Sequence, residues 1–154
     1  MHVMNAQVAT LLKDQVSKDF SLHIFIRPLH AATGSRIWMD SDWFTVQAHE
    51  EKEHALTILN SLQDNGADVT LGIIEAPFAD FGNSRKSLVV TLNHERYITG
   101  RIHAIYKQAR DTDDFRTCQF MEWFIAEQGE EEKTSPISWP ASISSATMHE
   151  SCIF

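Results

Sequence analysis

The stretch Phe44–Leu62 reads FTVQAHEEKEHALTILNSL, and within it Phe44, Gln47, Glu51, His54, Ile58 and Leu62 recur at steps of three and four. That is the helical period, so these side chains share one face. The face is apolar toward its ends and carries a carboxylate and an imidazole between them. Glu51 and His54, three residues apart, leave the helix side by side one turn apart, where both can grip one ion. Any single glutamate in such a position is ordinarily a solvated polar residue. Its meaning depends on what the other helices bring to meet it.

Upstream, Asp40-Ser41-Asp42 offers N-cap candidates for this helix, and downstream Asn65-Gly66 supplies a glycine able to take the left-handed conformation that closes helices. An earlier helix is expected from Asn5 to about Ile26, with Val8, Leu12, Gln15, Asp19, Leu22 and Ile26 on one face. Pro28 should end or kink it, because proline lacks the amide donor and its ring clashes with the preceding turn; Thr33-Gly34-Ser35 reads as a turn. Asn83-Ser84 opens a third helix carrying Leu88, Leu92, Glu95, Ile98, Ile102 and Ile105, which ends near Asp111-Thr112-Asp113-Asp114. A fourth follows with Cys118, Met121, Ile125, Gln128 and Glu131. Between the second and third helices, Ala67 to Asn83 contains Gly72, Pro77 and Gly82 and lacks helical spacing. Extended at roughly 3.3 Å per residue this segment reaches about 50 Å, more than the roughly 35 Å of helix it must pass. The pattern predicts an all-α four-helix bundle with one long crossover, over residues 1–133. From Thr134 to Phe154 two prolines and little periodicity predict an irregular C-terminal tail.

Composition narrows the function. A chain of 154 residues with 43% hydrophobic content suits one core. Its 13 Lys+Arg against 21 Asp+Glu, a formal charge of −8, argue against unspecific nucleic-acid or anionic-membrane binding and suit cation attraction. Two cysteines, Cys118 and Cys152, form no Cys-x-x-Cys and fit a reducing compartment. No signal peptide pattern and no membrane-length apolar run is visible.

Each helix interrupts its own apolar stripe with a carboxylate: Asp19, Glu51, Glu95 and Glu131. Four ionised carboxylates converging in a core must protonate, pair with cations or bind metal. The core-facing positions offer no matching set of Lys or Arg, although Arg96 and Arg101 lie near enough to swing inward. Oxygen ligands with one imidazole favour Fe, Mn or Zn over Cu(I), and an oxygen-rich site stabilises Fe(III), so redox chemistry fits the donors. His49-Glu50-Glu51-Lys52-Glu53-His54 imitates the metalloprotease His-Glu-x-x-His but holds one residue too many, so its histidines diverge around the helix. His49, His94 and His103 read as surface residues, and Trp43 and Trp123 as packing residues.

Three segments, Ala48-His49-Glu50-Glu51-Lys52-Glu53-His54-Ala55, Asn93-His94-Glu95-Arg96 and the run from Gln119-Phe120-Met121-Glu122-Trp123 through Ala126-Glu127-Gln128-Gly129-Glu130-Glu131-Glu132, resemble bacterial non-haem ferritins, and the likeness spans about residues 5–133. The resemblance implies a ferritin-like bundle and a ferroxidase that oxidises Fe(II) with dioxygen at a di-iron centre. It implies one iron held by Asp19, Glu51 and His54, and a second by Glu51, Glu95 and Glu131 with Gln128 beside them. Glu51, His54, Glu95 and Glu131 would carry the catalysis. Glu50, Glu127 and Glu130 match the acids of a neighbouring third iron site. It further implies a cytoplasmic homo-oligomer, a hollow 24-subunit shell storing ferric mineral, with neither nucleic acid nor membrane as partner. Three features depart from the family: Asp19 stands where it has glutamate, no tyrosine lies near Ile26, and no fifth helix is recognisable after the fourth. They motivate a second reading, a catalytically weak structural subunit. A DNA-protecting mini-ferritin fits less well, since such proteins place iron between subunits and these stripes can supply a site within one bundle.

Overall fold

The computed structural model describes the backbone of residues 4–32, 38–74 and 84–137, and the side chains of 4–26, 45–74 and 90–133. Helices α1 (Ala6–Ala32), α2 (Trp38–Asp64), α3 (Ser84–Asp111) and α4 (Phe115–Ile137) account for nearly all of it. Each begins or ends on a local signal. The Asn5 side chain accepts hydrogen bonds from the amides of Gln7 at 2.9 Å and Val8 at 3.4 Å, capping α1. At the end of α2, Gly66 has φ 69°, and the amides of Ala67 and Gly66 donate back to the carbonyls of Leu62 and Gln63 at 2.9 and 3.0 Å. This is the Schellman closure that glycine makes without steric cost. Asp113, with φ 56°, closes α3 in the same way: the amides of Asp114 and Asp113 reach the carbonyls of Ala109 and Arg110 at 2.8 and 3.2 Å. Asp114 then caps α4, its Oδ1 accepting from the Thr117 amide at 3.2 Å.

Side-chain pairings set the helix directions. Gln7 meets Gln108 and Gln15 meets Arg101, so α1 and α3 run antiparallel. Glu51 gathers with Glu131 while His54 lies against Phe124, so α2 and α4 are antiparallel as well. The turn at Thr112–Asp114 folds α4 back on α3. It follows that α2 and α3 are parallel, which requires the long connection. The described part of that connection is extended: Ala67, Val69 and Leu71 pack on the core while Asp68 and Thr70 face outward. A Cβ on Gly72 would sit 3.5 Å from the Ser17 hydroxyl, which shows how closely the strap lies on α1.

The core is built from the expected stripes. Val8, Leu12, Ile58, Leu62, Ile102, Ile105 and Met121 are fully or almost fully buried. Phe124 is buried too, where the fourth stripe suggested Ile125, which is only half-buried.

Three boundaries differ from the sequence expectation. α1 passes Pro28 and ends at Ala32. α2 starts at Trp38, ahead of the proposed caps at Asp40–Asp42. α4 continues through Pro136 to Ile137, so the first residues of the supposed irregular tail are helical. Extending an existing helix adds one hydrogen bond per residue, so a proline that forfeits one bond does not have to end it. The expected turn at Thr33-Gly34-Ser35, the side chains of Phe44, Trp43 and Leu88, and the chain from residue 138 lie outside the described residues. No helix among the described residues is long and apolar enough to cross a membrane.

Asp114 both caps α4 and lies 3.5 Å from the Asn5 amide, tying the α3–α4 turn to the start of α1. Asp114→Ala lowers unfolding stability by about 1 kcal/mol, seen as a reduced urea midpoint at constant m. An unchanged midpoint overturns the capping role.

Candidate metal centre

Midway along the bundle the stripes turn polar. Asp19 from α1, Glu51 and His54 from α2, Glu95 from α3, and Gln128 and Glu131 from α4 are all buried, with Glu51 and Glu95 at 0% exposure. One carboxylate per helix converges because each occupies the core-facing position of its stripe at the level where the four helices meet.

Glu51, His54 and Glu131 each present a ligand atom such that the three atoms lie within 4.8 Å of one another. His54 Nδ1 is 3.8 Å from Glu51 Oε1. Asp19 and Glu95 stand outside this triad. Neither Glu51 oxygen accepts a hydrogen bond of good geometry among the described residues, although the Gln47 amide is near enough to offset part of the burial. Two orphaned carboxylate oxygens in a dry core are what a cation site offers before it binds.

Neutral amides frame the acids. Gln47 Nε2 donates to Glu95 Oε1 at 3.5 Å, Gln128 Nε2 to Glu131 Oε2 at 3.3 Å, and Gln15 Nε2 to Asp19 Oδ1 at 2.6 Å. Thr99 donates to Gln128 Oε1 at 3.3 Å. Sequence reasoning placed Gln15 and Gln47 on the stripes without assigning them to the site. A signal was present: each lies four residues before a stripe carboxylate, on the same face. Arg101 does reach inward, donating through Nε to Gln15 Oε1 at 2.8 Å; Arg96 is exposed.

The remaining predicted acids sit toward the surface. Glu50 is half-buried, and burial, then the facing Glu127 carboxylate, push its carboxyl above the usual carboxylate range. Glu127 is half-buried as well, whereas Glu130 is exposed and accepts from Lys133 Nζ at 2.9 Å. His49 and His103 are exposed as expected, but His94 is not a surface residue. Burial, aided by Lys18, lowers it to about 4, and its ring meets Tyr97 edge-on at 5.9 Å. Trp123, expected to pack, is 50% exposed and leans its ring edge-on against His54 at 5.6 Å and Phe124 at 4.8 Å. Ile26 is fully buried.

Without a cation the centre must hold protons. Burial, then the Glu131 carboxylate, pushes Glu95 up to about 10, and burial pushes Glu131 to about 7. Burial raises Asp19 well above its ordinary range despite the Gln15 hydrogen bond, and raises Glu51 further against Glu95, Asp19 and Glu131. Burial lowers His54 to about 4, so its imidazole is neutral and able to bind metal. Because the folded acids hold protons more tightly than the unfolded chain, their contribution is fully present at low pH and is lost as pH rises through their folded values. The two buried histidines act in the opposite sense, but only below about pH 6.5, the ordinary value for histidine. Between about pH 7 and about pH 9 the carboxylates dominate, burial of the Cys118 thiol acting in the same direction, and the metal-free protein loses about 1.4 kcal/mol per pH unit for each proton retained. A melting temperature that falls across this window in calorimetry bears this out; one that holds or rises overturns it.

The ferritin family, described as a ferritin-like domain, matches residues 9–135. A probable bacterial non-heme ferritin-like protein of Haemophilus influenzae is 26% identical over 139 residues, covering 85% of this chain and 80% of the relative. A bacterial non-heme ferritin of Staphylococcus aureus is 28% identical over 131 residues, covering 84% of this chain and 79% of the relative. Among solved structures, an open pore ferritin from the hyperthermophilic archaeon Archaeoglobus fulgidus superposes with a TM-score of 0.81 at 25% identity, over 87% of this chain and 82% of its own. With residues 9–135 matched, a span that takes in most of every helix of the bundle, the chain belongs to the ferritin family.

Proposed function

We propose that this chain is an iron-storage ferritin that draws Fe(II) into the centre of its bundle, oxidises it with dioxygen and passes the ferric product to storage. The observation that carries the reading is the buried Glu51–His54–Glu131 triad, with both Glu51 oxygens lacking a well-formed hydrogen bond. Fe(II) is the substrate here. Its charge stands in for the protons that Glu95 and Glu131 otherwise hold, so entry displaces those protons to solvent. Glu51 lies between the acids of the other three helices and is the natural bridge between two ions. Asp19, His54, Glu95 and Glu131 hold the ions, and Gln128 orients Glu131. Carboxylate oxygens favour Fe(III) over Fe(II), so the transfer of one electron from each ion to dioxygen runs downhill. Glu50, Glu127 and Glu130 provide the neighbouring acidic path on which a further iron rests. In this reading the protein is a cytoplasmic homo-oligomer, assembling as a 24-subunit shell.

The shorter arm of Asp19, which with Glu95 stands outside the triad, favours a second reading, a subunit with weak turnover that serves mainly as scaffold. Dioxygen consumption on adding Fe(II) separates the two. Fast uptake by the intact protein that Glu51→Ala reduces to the buffer rate, with helical circular dichroism retained, supports the ferroxidase. Uptake by the intact protein no faster than buffer overturns it and leaves the scaffold.

A further inference from the structure

The Asp19 carboxylate is gripped by a chain of side chains that runs through a residue of another helix to the surface. Its Oδ1 accepts from Gln15 Nε2 at 2.6 Å, both residues being almost wholly buried. Gln15 Oε1 in turn accepts from Arg101 Nε at 2.8 Å. Arg101 is anchored at its outer end by an ion pair with Asp14 at 2.6 Å, and its guanidinium lies over the Tyr97 ring at 5.7 Å, with Nη1 3.4 Å from the Tyr97 hydroxyl.

The direction of this chain is not adjustable. Guanidinium only donates, so the amide facing it must present its oxygen. Gln15 is thereby obliged to turn its NH2 toward Asp19. A carboxylate that accepts a short hydrogen bond on Oδ1 has Oδ2 left for a cation. An aspartate is also one methylene shorter than glutamate, and Asp19 stands outside the triad of Glu51, His54 and Glu131. Its reach therefore depends on where the amide holds it. Asp14 is half-exposed, so the anchor of a buried ligand lies at the protein surface.

We infer that Gln15 and Arg101 are positioning residues that hold Asp19 as a one-oxygen ligand, making the cation affinity of the centre depend on a contact between α1 and α3. The inference rests on the metal-binding reading above and assigns these two residues a part in it. Neither touches the ion: Arg101 acts through Gln15, and Gln15 through Asp19.

Co(II), which dioxygen does not readily oxidise, tests this by its binding isotherm and its visible absorption bands, on the full chain and independently of iron turnover. Loss of such an outer hydrogen bond typically weakens metal binding by about 10- to 100-fold. Gln15→Leu is expected to weaken Co(II) binding in that range and to alter the absorption bands as Asp19→Ala does. Adding Gln15→Leu to Asp19→Ala should then weaken binding no further. Arg101→Gln should shift affinity in the same direction with the helical circular dichroism retained, and Arg101→Lys should not restore it, because an ammonium lacks the planar fork. Unchanged affinity in both Gln15→Leu and Arg101→Gln, or an undiminished effect of Gln15→Leu in the Asp19→Ala background, overturns the positioning role alone. Failure of the unaltered protein to bind Co(II) overturns the metal-binding reading and the positioning role with it.

Discussion

Four carboxylates buried at one level of a helix bundle are the constraint on which the structure turns. Asp19, Glu51, Glu95 and Glu131 come one from each helix, and each is withdrawn from water. Charge cannot remain there unanswered, since the desolvation of even one free carboxylate exceeds what a small domain can carry. Protons answer it when the site is empty of cations, and a cation answers it otherwise. The bundle tolerates the cluster because the rest of its length is apolar: Leu12, Ile58, Leu62, Ile102, Ile105 and Met121 bury enough surface to hold the helices in register around it.

This division of labour links stability to function. A core made entirely of leucine and isoleucine would be more stable and would bind nothing. The site instead carries acids pushed to high proton affinity, beside a histidine kept neutral by its surroundings. Neutral amides from Gln15, Gln47 and Gln128 orient the acids without cancelling their charge. A lysine in any of these places would satisfy the carboxylates permanently and leave no demand for a metal.

Much of this was legible in the residues. The stripes of three- and four-residue spacing located four helices, and the length and composition of the segment after Asn65-Gly66 permitted a crossover between parallel helices, the directions that α2 and α3 take. Glu-x-x-His marked α2 as a ligand-bearing helix. The prolines misled: Pro28 and Pro136 each lie within a helix, because loss of one backbone bond is outweighed by those on either side. His94 misled as well. Its ring is half-buried although it lies next to the stripe and not on it.

The sequence by itself determined most of the residues that face inward, Phe124 in place of Ile125 being an exception, because helical periodicity depends on the order of side chains along the chain. It thereby named the four acids, His54 and Gln128. Only the tertiary structure decided how they meet, since periodicity carries no information about the height at which one helix stands against its neighbour. That height puts Glu51, His54 and Glu131 within 4.8 Å of one another while Glu95 and Asp19 stay outside that group, Asp19 gripped by Gln15 under the hold of Arg101. The residues were written along four separate helices; the distances between them exist only where the helices pack.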